Sequence, residues 1–146
     1  MSYDNIEILF AEDSLDDAIL TIRALEKSGF TNKLHHVKDG AEALDFLYCK
    51  GLYAMRNARE KPKLILVDLK MPKMTGIQIL EKVKTDPDLK SIPVVVLTSS
   101  QEDPDIAKCY SLGANSYIVK PVDSNNFFNS IKEIGLYWMI LNQPAH

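Results

Sequence analysis

The sequence has little cysteine and no long apolar run. Its two cysteines, Cys49 and Cys109, lie far apart and form no CxxC motif. We therefore expect reduced thiols packed in the core of a cytoplasmic protein rather than a disulfide. The longest unbroken apolar run, Leu136 to Leu141, has six residues, whereas a membrane-spanning helix needs about 20. Met1 to Asp4 is polar and acidic, unlike a secretory signal.

Neither sign of charge dominates the chain. Seventeen basic and twenty acidic side chains give a net charge of −3, so we expect no general attraction to nucleic acid or to an anionic membrane. With 46% hydrophobic and 25% charged residues, and no repeat or low-complexity tract, the composition indicates an ordinary globular protein. A length of 146 residues predicts one domain over residues 1–146.

Short apolar runs alternate with helical patterns five times along the chain. The runs that predict buried strands are Ile6–Ala11, Leu34–Val37, Leu64–Val67, Ile92–Leu97 and Tyr117–Val119. Helix starts are indicated at Ser14, after Asp39-Gly40, at Thr75 with Gln78, at Asp103-Pro104 and near Asp123. The last helix is predicted to carry Phe127, Ile131, Ile134 and Trp138. The alternation predicts an α/β, flavodoxin-like, doubly wound parallel sheet of five strands in the order 2-1-3-4-5, with five helices.

The chemistry-bearing residues follow four of these strands. Glu12 and Asp13 follow the first, Asp68 ends the third, Thr98 the fourth and Lys120 the fifth. In such a sheet the site lies beyond the carboxyl ends of the strands. Three converging carboxylates repel, so either a pKa rises or a cation binds, and all-oxygen ligation suits Mg²⁺. Asp68 is then a candidate nucleophile that forms an aspartyl phosphate, with Lys120 and Thr98 stabilising the phosphoryl oxygens.

Each of these residues also has an ordinary structural interpretation. Acids at strand ends are common helix caps, a Lys-Pro pair is usually a turn, and Thr98 alone is most often a cap or loop hydroxyl. Their joint placement on four strand ends favours the phosphoryl site. The adjacent His35 and His36 face opposite sides of a strand and cannot chelate one ion, so we interpret both as structural.

Four segments resemble the receiver domain of two-component response regulators. These are Phe10-Ala11-Glu12-Asp13, Leu66 to Gly76 (LVDLKMPKMTG), Val96-Leu97-Thr98-Ser99 and Tyr117-Ile118-Val119-Lys120-Pro121. The resemblance runs from about Ile6 to Leu141. The Glu-Asp-Ser-Leu-Asp-Asp opening and the long second crossover are most similar to the small single-domain regulators of cyanobacterial phytochromes. The chain then leaves no room for a DNA-binding output domain.

The resemblance implies roles for individual residues. Asp68 would accept a phosphoryl group from a sensor histidine kinase, with a phytochrome as candidate donor, and the protein would signal to a downstream partner rather than act as an enzyme. Mg²⁺ would be held by Glu12, Asp13, Asp68 and the backbone carbonyl of Lys70. Thr98 and Tyr117 would form a switch pair, Lys120 would bind the phosphoryl group, and Lys120-Pro121 would be cis. Two departures matter: Glu12 replaces the commoner aspartate, and Lys70 and Ser100 occupy positions that tune phosphoryl lifetime.

Three other functions compete with this one. A phosphohydrolase working through an aspartyl phosphate needs a second aspartate where Lys70 stands. A flavin carrier needs hydroxyls where Glu12 to Asp17 would repel the FMN phosphate. A receiver-fold binding module that is never phosphorylated is disfavoured by Asp68, Thr98 and Lys120 together.

Two surface features are candidates for contact with partner proteins. The loop Leu52–Pro62 contains Arg56, Arg59 and Lys61, and either meets an acidic kinase surface or is a solvated insertion. Residues 136–141, if helical, are apolar around the whole circumference and predict a homodimer through the fourth helix, fifth strand and last helix. The alternative is that these terminal turns fold back on their own domain.

Overall fold

Five strands alternate with five α-helices in the computed structural model, which describes residues 5–30, 32–99 and 104–136. The strands are β1 (Ile8–Ala11), β2 (Leu34–Val37), β3 (Leu64–Asp68), β4 (Val94–Thr98) and β5 (Ser116–Val119). The helices are α1 (Leu15–Lys27), α2 (Gly40–Tyr48), α3 (Gly76–Thr85), α4 (Asp105–Ser111) and α5 (Ser124–Glu133), with a 3-10 helix at Gly51–Tyr53. All strand pairs are parallel, in the order β2-β1-β3-β4-β5. The predicted fold and strand order are confirmed.

Apolar side chains cover both faces of the sheet. Leu9 and Phe10 are neighbours on β1, yet Leu9 belongs to one core cluster and Phe10 to the other, because side chains alternate across a strand. The cluster of Leu9 includes Phe46 of α2, whereas that of Phe10 includes Leu25 of α1 and Phe127 of α5. The central strands β1, β3 and β4 are buried throughout, as expected for a sheet between two helical layers.

Side-chain caps fix where the helices begin, beside the carboxyl ends of the strands. Ser14 Oγ accepts a hydrogen bond from the Asp17 backbone N–H at the start of α1. Thr75 and Gln78 form the predicted capping box of α3. Asp123 starts α5 through a second box. Each such cap contributes about 1 kcal/mol, so these residues set the register of the loops that surround the site.

The strand boundary at Ile92 and the helix start at Pro104 differ from the predictions. β4 begins at Val94, because Pro93 lacks an N–H and the carbonyl of Ile92 accepts from Lys84 Nζ at 2.7 Å. Pro104 occupies the N-cap position of α4 rather than the first position of the helix, and it makes no side-chain capping hydrogen bond. Asp103 lies outside the described residues.

The end of α5 corrects the prediction of a longer last helix. The helix ends at Glu133, and Gly135 adopts a left-handed conformation with φ 80°. The Leu136 N–H bonds to the Ile131 carbonyl at 2.9 Å, which closes the helix end. Ile134 is therefore a cap, and Leu136 packs onto the core outside the helix. Residues 137–141, including Trp138, lie outside the described part of the chain.

The segment after α2 is more ordered than the predicted loop. The Arg56 guanidinium lies 3.8 Å from the centroid of the Phe46 ring and donates to the carbonyl of Glu60 at 2.7 Å and to that of Phe46. It also donates to Cys49 Sγ at 3.3 Å. Arg56 is thus a structural residue, not a solvated charge. Cys109 is a buried thiol, as predicted, but Cys49 is only half-buried, at the end of α2.

Among the described residues, the longest helix is α1 with 13 residues, and none is long and apolar enough to span a bilayer.

Candidate functional site

Three carboxylates converge at the carboxyl edge of the sheet. Glu12 and Asp13 follow β1, and Asp68 is the last residue of the neighbouring β3. One oxygen from each lies within 4.8 Å of the other two. Glu12 and Asp68 are buried, while Asp13 is exposed, so the cluster opens to solvent on one side.

Lys120 supplies the positive charge of this cluster. Its Nζ lies 2.8 Å from Glu12 Oε1, 3.2 Å from Asp68 Oδ2 and 3.0 Å from Asp17 Oδ2. The residue follows β5 at the far edge of the sheet, and the Lys120-Pro121 peptide bond is cis, as expected. The predicted site residues Glu12, Asp68 and Lys120 are thus brought into direct contact.

Asp17 is a member of the cluster that sequence reasoning missed. The sequence indicates for Asp17 only a place in the first turn of the helix capped by Ser14, where the helix dipole favours an acid. Its carboxylate accepts a hydrogen bond from Lys120. No local spacing signals this contact, because Asp13 precedes the N-cap Ser14 and Lys120 lies 103 residues from Asp17.

Burial and neighbouring charges raise the pKa values of two of these groups, Glu12 and Lys120. Burial raises the pKa of Glu12 to about 7, with the Asp68 carboxyl adding to the increase and Lys120 opposing it. Burial lowers the pKa of Lys120, but hydrogen bonds and charges from Glu12, Asp17 and Asp68 outweigh it and leave that pKa above its ordinary value. The ammonium therefore stays charged, while the buried Glu12 carboxyl takes up a proton more readily than an ordinary glutamate.

The donor set fits a hard divalent cation. Glu12 Oε1 is buried and, despite its short ion pair with Lys120, receives no aligned hydrogen bond from the described residues. The cluster combines four carboxylates, three of which contact the one ammonium of Lys120, so it carries excess negative charge when ionised. Oxygen ligands with one open side suit Mg²⁺ or Mn²⁺, which keep water or take up substrate oxygens. Glu12, Asp13 and Asp68 are the side chains that would hold it.

Thr98 and Tyr117 lie on the neighbouring strands. Thr98 is the buried last residue of β4, and its carbonyl accepts from the Lys120 N–H at 2.7 Å. Because Leu97 pairs with Asp68 in the sheet, Thr98 lies one residue beyond Asp68 along the strand direction. Tyr117 is half-buried on β5, with its ring edge-on to Tyr110 at 5.9 Å between centroids.

The loop after β3 places Lys70 and Gly76 against the site. The Lys70 backbone N–H lies 3.4 Å from Asp68 Oδ1, while its side chain is exposed. A Cβ on Gly76 would lie 2.5 Å from the Asp68 carbonyl oxygen. Only glycine permits this close approach of α3 to the end of β3.

The two histidines face opposite sides of β2, as predicted. His35 Nε2 lies 2.8 Å from the Tyr53 hydroxyl, whereas His36 Nε2 lies 2.8 Å from the Glu12 carbonyl oxygen. His36 thus supports the backbone of the cluster without belonging to it.

A family model described as the response regulator receiver domain matches residues 8–132. The chain belongs to this family. Receiver domains are signalling proteins, and the family binds Mg²⁺ or Mn²⁺ at an acidic pocket like that of Glu12, Asp13 and Asp68. The resemblance read from the four segments is confirmed.

Similar proteins include regulators named for phytochromes. The response regulator Rcp1 of Synechocystis sp. is 37% identical over 132 residues, covering 90% of this chain and 88% of the relative, and a solved structure of it is Mn²⁺-bound. The bacteriophytochrome response regulator RtBRR is 45% identical with TM-score 0.86, over 95% of this chain and 83% of that one. The phosphorylated cyanobacterial phytochrome regulator RcpA is 37% identical with TM-score 0.74, over 97% of both chains.

Proposed function

We propose that this receiver domain accepts a phosphoryl group on Asp68 from a phosphohistidine of a sensor histidine kinase, in the presence of Mg²⁺. The observation that carries the proposal is the position of Asp68. This carboxylate ends a buried strand, lies 3.2 Å from Lys120 Nζ and shares a cluster with Glu12 and Asp13.

The transfer is a displacement at phosphorus. One oxygen of Asp68 bonds to phosphorus as the bond from phosphorus to the donor's imidazole nitrogen breaks, and the electron pair stays on that nitrogen, which takes up a proton. Lys120 stabilises a phosphoryl oxygen, and the Thr98 hydroxyl donates to another. Glu12, Asp13, Asp68 and the backbone carbonyl of Lys70 would hold Mg²⁺. When bound, Mg²⁺ supplies charge neutralisation of the phosphoryl oxygens.

Labelling by a kinase tests the acceptor directly. Asp68→Asn keeps the shape of the side chain but removes the nucleophile, so Mg²⁺-dependent transfer of labelled phosphate from a histidine kinase should disappear. Asp16→Asn, an exposed change of the same chemistry, should label like the wild type. Labelling of Asp68→Asn at the wild-type level would refute the assignment.

The phosphoryl group acts on the rest of the molecule through Thr98 and Tyr117. In this proposal Thr98 moves toward the new oxygens, and Tyr117 fills the space it leaves. The support is that Thr98 is buried next to the site, while Tyr117 is half-buried on the adjoining strand with one ring partner, Tyr110. Two packings of one aromatic ring give a switch that phosphorylation biases.

The kinase docks on α1 in this proposal. Leu15, Ile19 and Leu20 are exposed to 67%, 40% and 48%, and they lie on the helix that carries Asp17 beside the acceptor. Exposed apolar side chains next to a reactive group are typical of a contact surface. The relatives named for phytochromes support a phytochrome kinase as donor. In this proposal, the protein acts in the cytoplasm and signals to a downstream protein.

The domain also pairs with a second copy through α4, β5 and α5. The predicted apolar circumference of residues 136–141 is not part of the support, because residues 137–141 lie outside the described part of the chain. The support that remains is Tyr110 on α4, exposed to 45% and in contact with Tyr117 of β5. Tyrosine is enriched at the centres of protein interfaces.

A further inference from the structure

Lys120 is shared by three carboxylates, and these differ in how they bind it. Among the described residues, Asp17 alone accepts an aligned hydrogen bond from Nζ, at 3.0 Å. Glu12 and Asp68 contact the same atom as ion pairs at 2.8 and 3.2 Å. An ammonium has three N–H donors, so these three acidic partners can occupy all of them.

The three partners also differ in exposure. The Glu12 side chain is 0% exposed and that of Asp68 is 10% exposed, but that of Asp17 is 41% exposed. Breaking a buried ion pair leaves an uncompensated charge and is costly, whereas an exposed carboxylate that loses its partner is hydrated by water. Asp17 is therefore the partner that Lys120 releases at least cost.

A phosphoryl group on Asp68 adds anionic oxygens within reach of Lys120. One donor of the ammonium must then turn from a carboxylate to a phosphoryl oxygen. Resting on the function proposed above, we infer that Asp17 is a positioning residue that competes with the phosphoryl group for Lys120. It holds the ammonium toward α1 in the unphosphorylated protein and weakens the phosphorylated state.

The position of Asp17 is built into the start of α1. Its backbone N–H is held by Ser14 Oγ at 3.2 Å, and this cap fixes the side chain one turn above the strand end. The neighbouring Asp16 is in the same helical turn and is exposed. Asp16 therefore provides a control with the same charge at nearly the same distance from the N-terminus of α1.

Binding of beryllofluoride with Mg²⁺, a stable mimic of the phosphoryl group, tests the inference without turnover. Asp17→Asn should tighten binding about 2- to 5-fold, the range of a partly exposed ion pair, and Asp17→Ala, which also removes the acceptor oxygen, should tighten it further. Asp17→Glu should return the affinity toward the wild-type value. Isothermal titration calorimetry measures all three, and the gain should shrink with added salt.

Two further measurements separate positioning from a general charge effect. Asp16→Asn and Asp16→Ala should change the affinity by less than the Asp17 variants do. The ¹⁵N signal of the Lys120 ammonium should shift in unliganded Asp17→Ala toward its position in the beryllofluoride complex, whereas Asp16→Ala should leave it unmoved.

The outcomes distinguish this inference from the function on which it rests. Equal gains at Asp16 and Asp17, or weaker binding in Asp17→Ala, would overturn the competition while leaving Asp68 as acceptor. A wild-type protein that neither binds Mg²⁺-beryllofluoride nor labels on Asp68 would overturn both.

Discussion

Glu12 is a buried carboxyl at the centre of an acidic cluster, and this makes the metal-free protein sensitive to pH. Its pKa is raised from 4.5 to about 7, first by burial. A group whose folded pKa lies above its unfolded value binds more protons in the folded state, so it favours folding at low pH and opposes it at high pH. The free energy of unfolding therefore depends on the titration of Glu12 between about pH 4.5 and about pH 7.

We expect the free energy of unfolding in the presence of a chelator to fall as pH rises from 5 to 8. Glu12→Gln, which cannot ionise, should flatten this dependence. Urea unfolding at several pH values measures both proteins. Parallel pH curves for the two would show that Glu12 does not titrate in this range.

Gly76 is the second residue with a specific requirement. A Cβ there would lie 2.5 Å from the Asp68 carbonyl oxygen and 2.9 Å from the Leu69 Cα. Gly76→Ala should cost about 1–3 kcal/mol of stability, the range of overpacked cores. It should also slow labelling of Asp68, because the acceptor strand must shift.

Ser124 offers a matched control, since it occupies the same first position of α5 after its own capping box. Ser124→Ala should change the free energy of unfolding by less than 1 kcal/mol by the usual scale of such surface changes. A Gly76→Ala protein as stable as Ser124→Ala would mean that the loop after β3 adapts without cost.

The residues that could be predicted are those whose position follows from one strand alone. Asp68 is polar directly after four apolar residues, and a parallel sheet brings such strand ends to one edge whatever the side-chain details. Asp17 could not be assigned in this way, because its partner Lys120 lies 103 residues away. Its role depends on where β5 and α1 stand relative to each other, and no local pattern records that.

At the scale of elements, α1 presents apolar side chains to solvent beside the cluster that contains Asp68. Leu15→Ser combined with Ile19→Ser should slow phosphotransfer from the cognate kinase, because docking loses apolar contact area. Labelling by a small acyl phosphate, which needs no docking surface, should be unchanged. The ratio of the two rates is the measurement.

The matched control for α1 is Leu52→Ser with Met55→Ser, since these side chains are 82% and 96% exposed on the segment after α2. If this pair slowed kinase transfer as much as the α1 pair, docking would extend over the segment after α2, and α1 would not be the specific site.

The segment after α2 also carries a prediction about stability. Arg56 packs on Phe46 and satisfies two backbone carbonyls, so Arg56→Ala should cost about 1–3 kcal/mol through lost hydrogen bonds and ring contact. The exposed Arg59 should tolerate the same change. Thermal unfolding compares Arg56→Ala with Arg59→Ala. Equal melting temperatures would show that Arg56 contributes no more to stability than a solvated surface charge.

Element boundaries show where sequence patterns reach their limit. The capped starts of α1, α3 and α5 could be predicted, because the cap is a local contact between residues three apart. The predicted end of α5 was wrong because an apolar run begins shortly after the helix end, at Leu136. Gly135 in a left-handed conformation stops the helix. A glycine just past a helix is a typical signal for the helix end, but the run of large apolar residues that follows obscured it.

At the scale of the whole molecule, the proposed pairing through α4, β5 and α5 would make the oligomeric state depend on the phosphoryl mimic. Sedimentation velocity should show a stronger dimer with Mg²⁺ and beryllofluoride than without, because the proposal assigns Tyr117 to both the switch and the contact surface. Tyr110→Ser should weaken that dimer about 10-fold or more, as expected of a central tyrosine.

Tyr48→Ser, on α2 and with a side chain exposed to a similar 38%, should leave the dimer unchanged. A protein that stays monomeric at high micromolar concentration with and without the mimic would exclude the pairing. Equal weakening by both tyrosine variants would place the contact elsewhere.

The contact between Asp17 and Lys120 also has a consequence for synthesis on the ribosome. The acidic residues leave the ribosome first, and their only described cationic partner emerges with the last strand, 103 residues after Asp17. A nascent chain that ends before β5 therefore presents Asp68 without the lysine that, in the proposed function, stabilises the phosphoryl group. Under that proposal, the chain gains its full competence to accept a phosphoryl group only after β5 has left the ribosome.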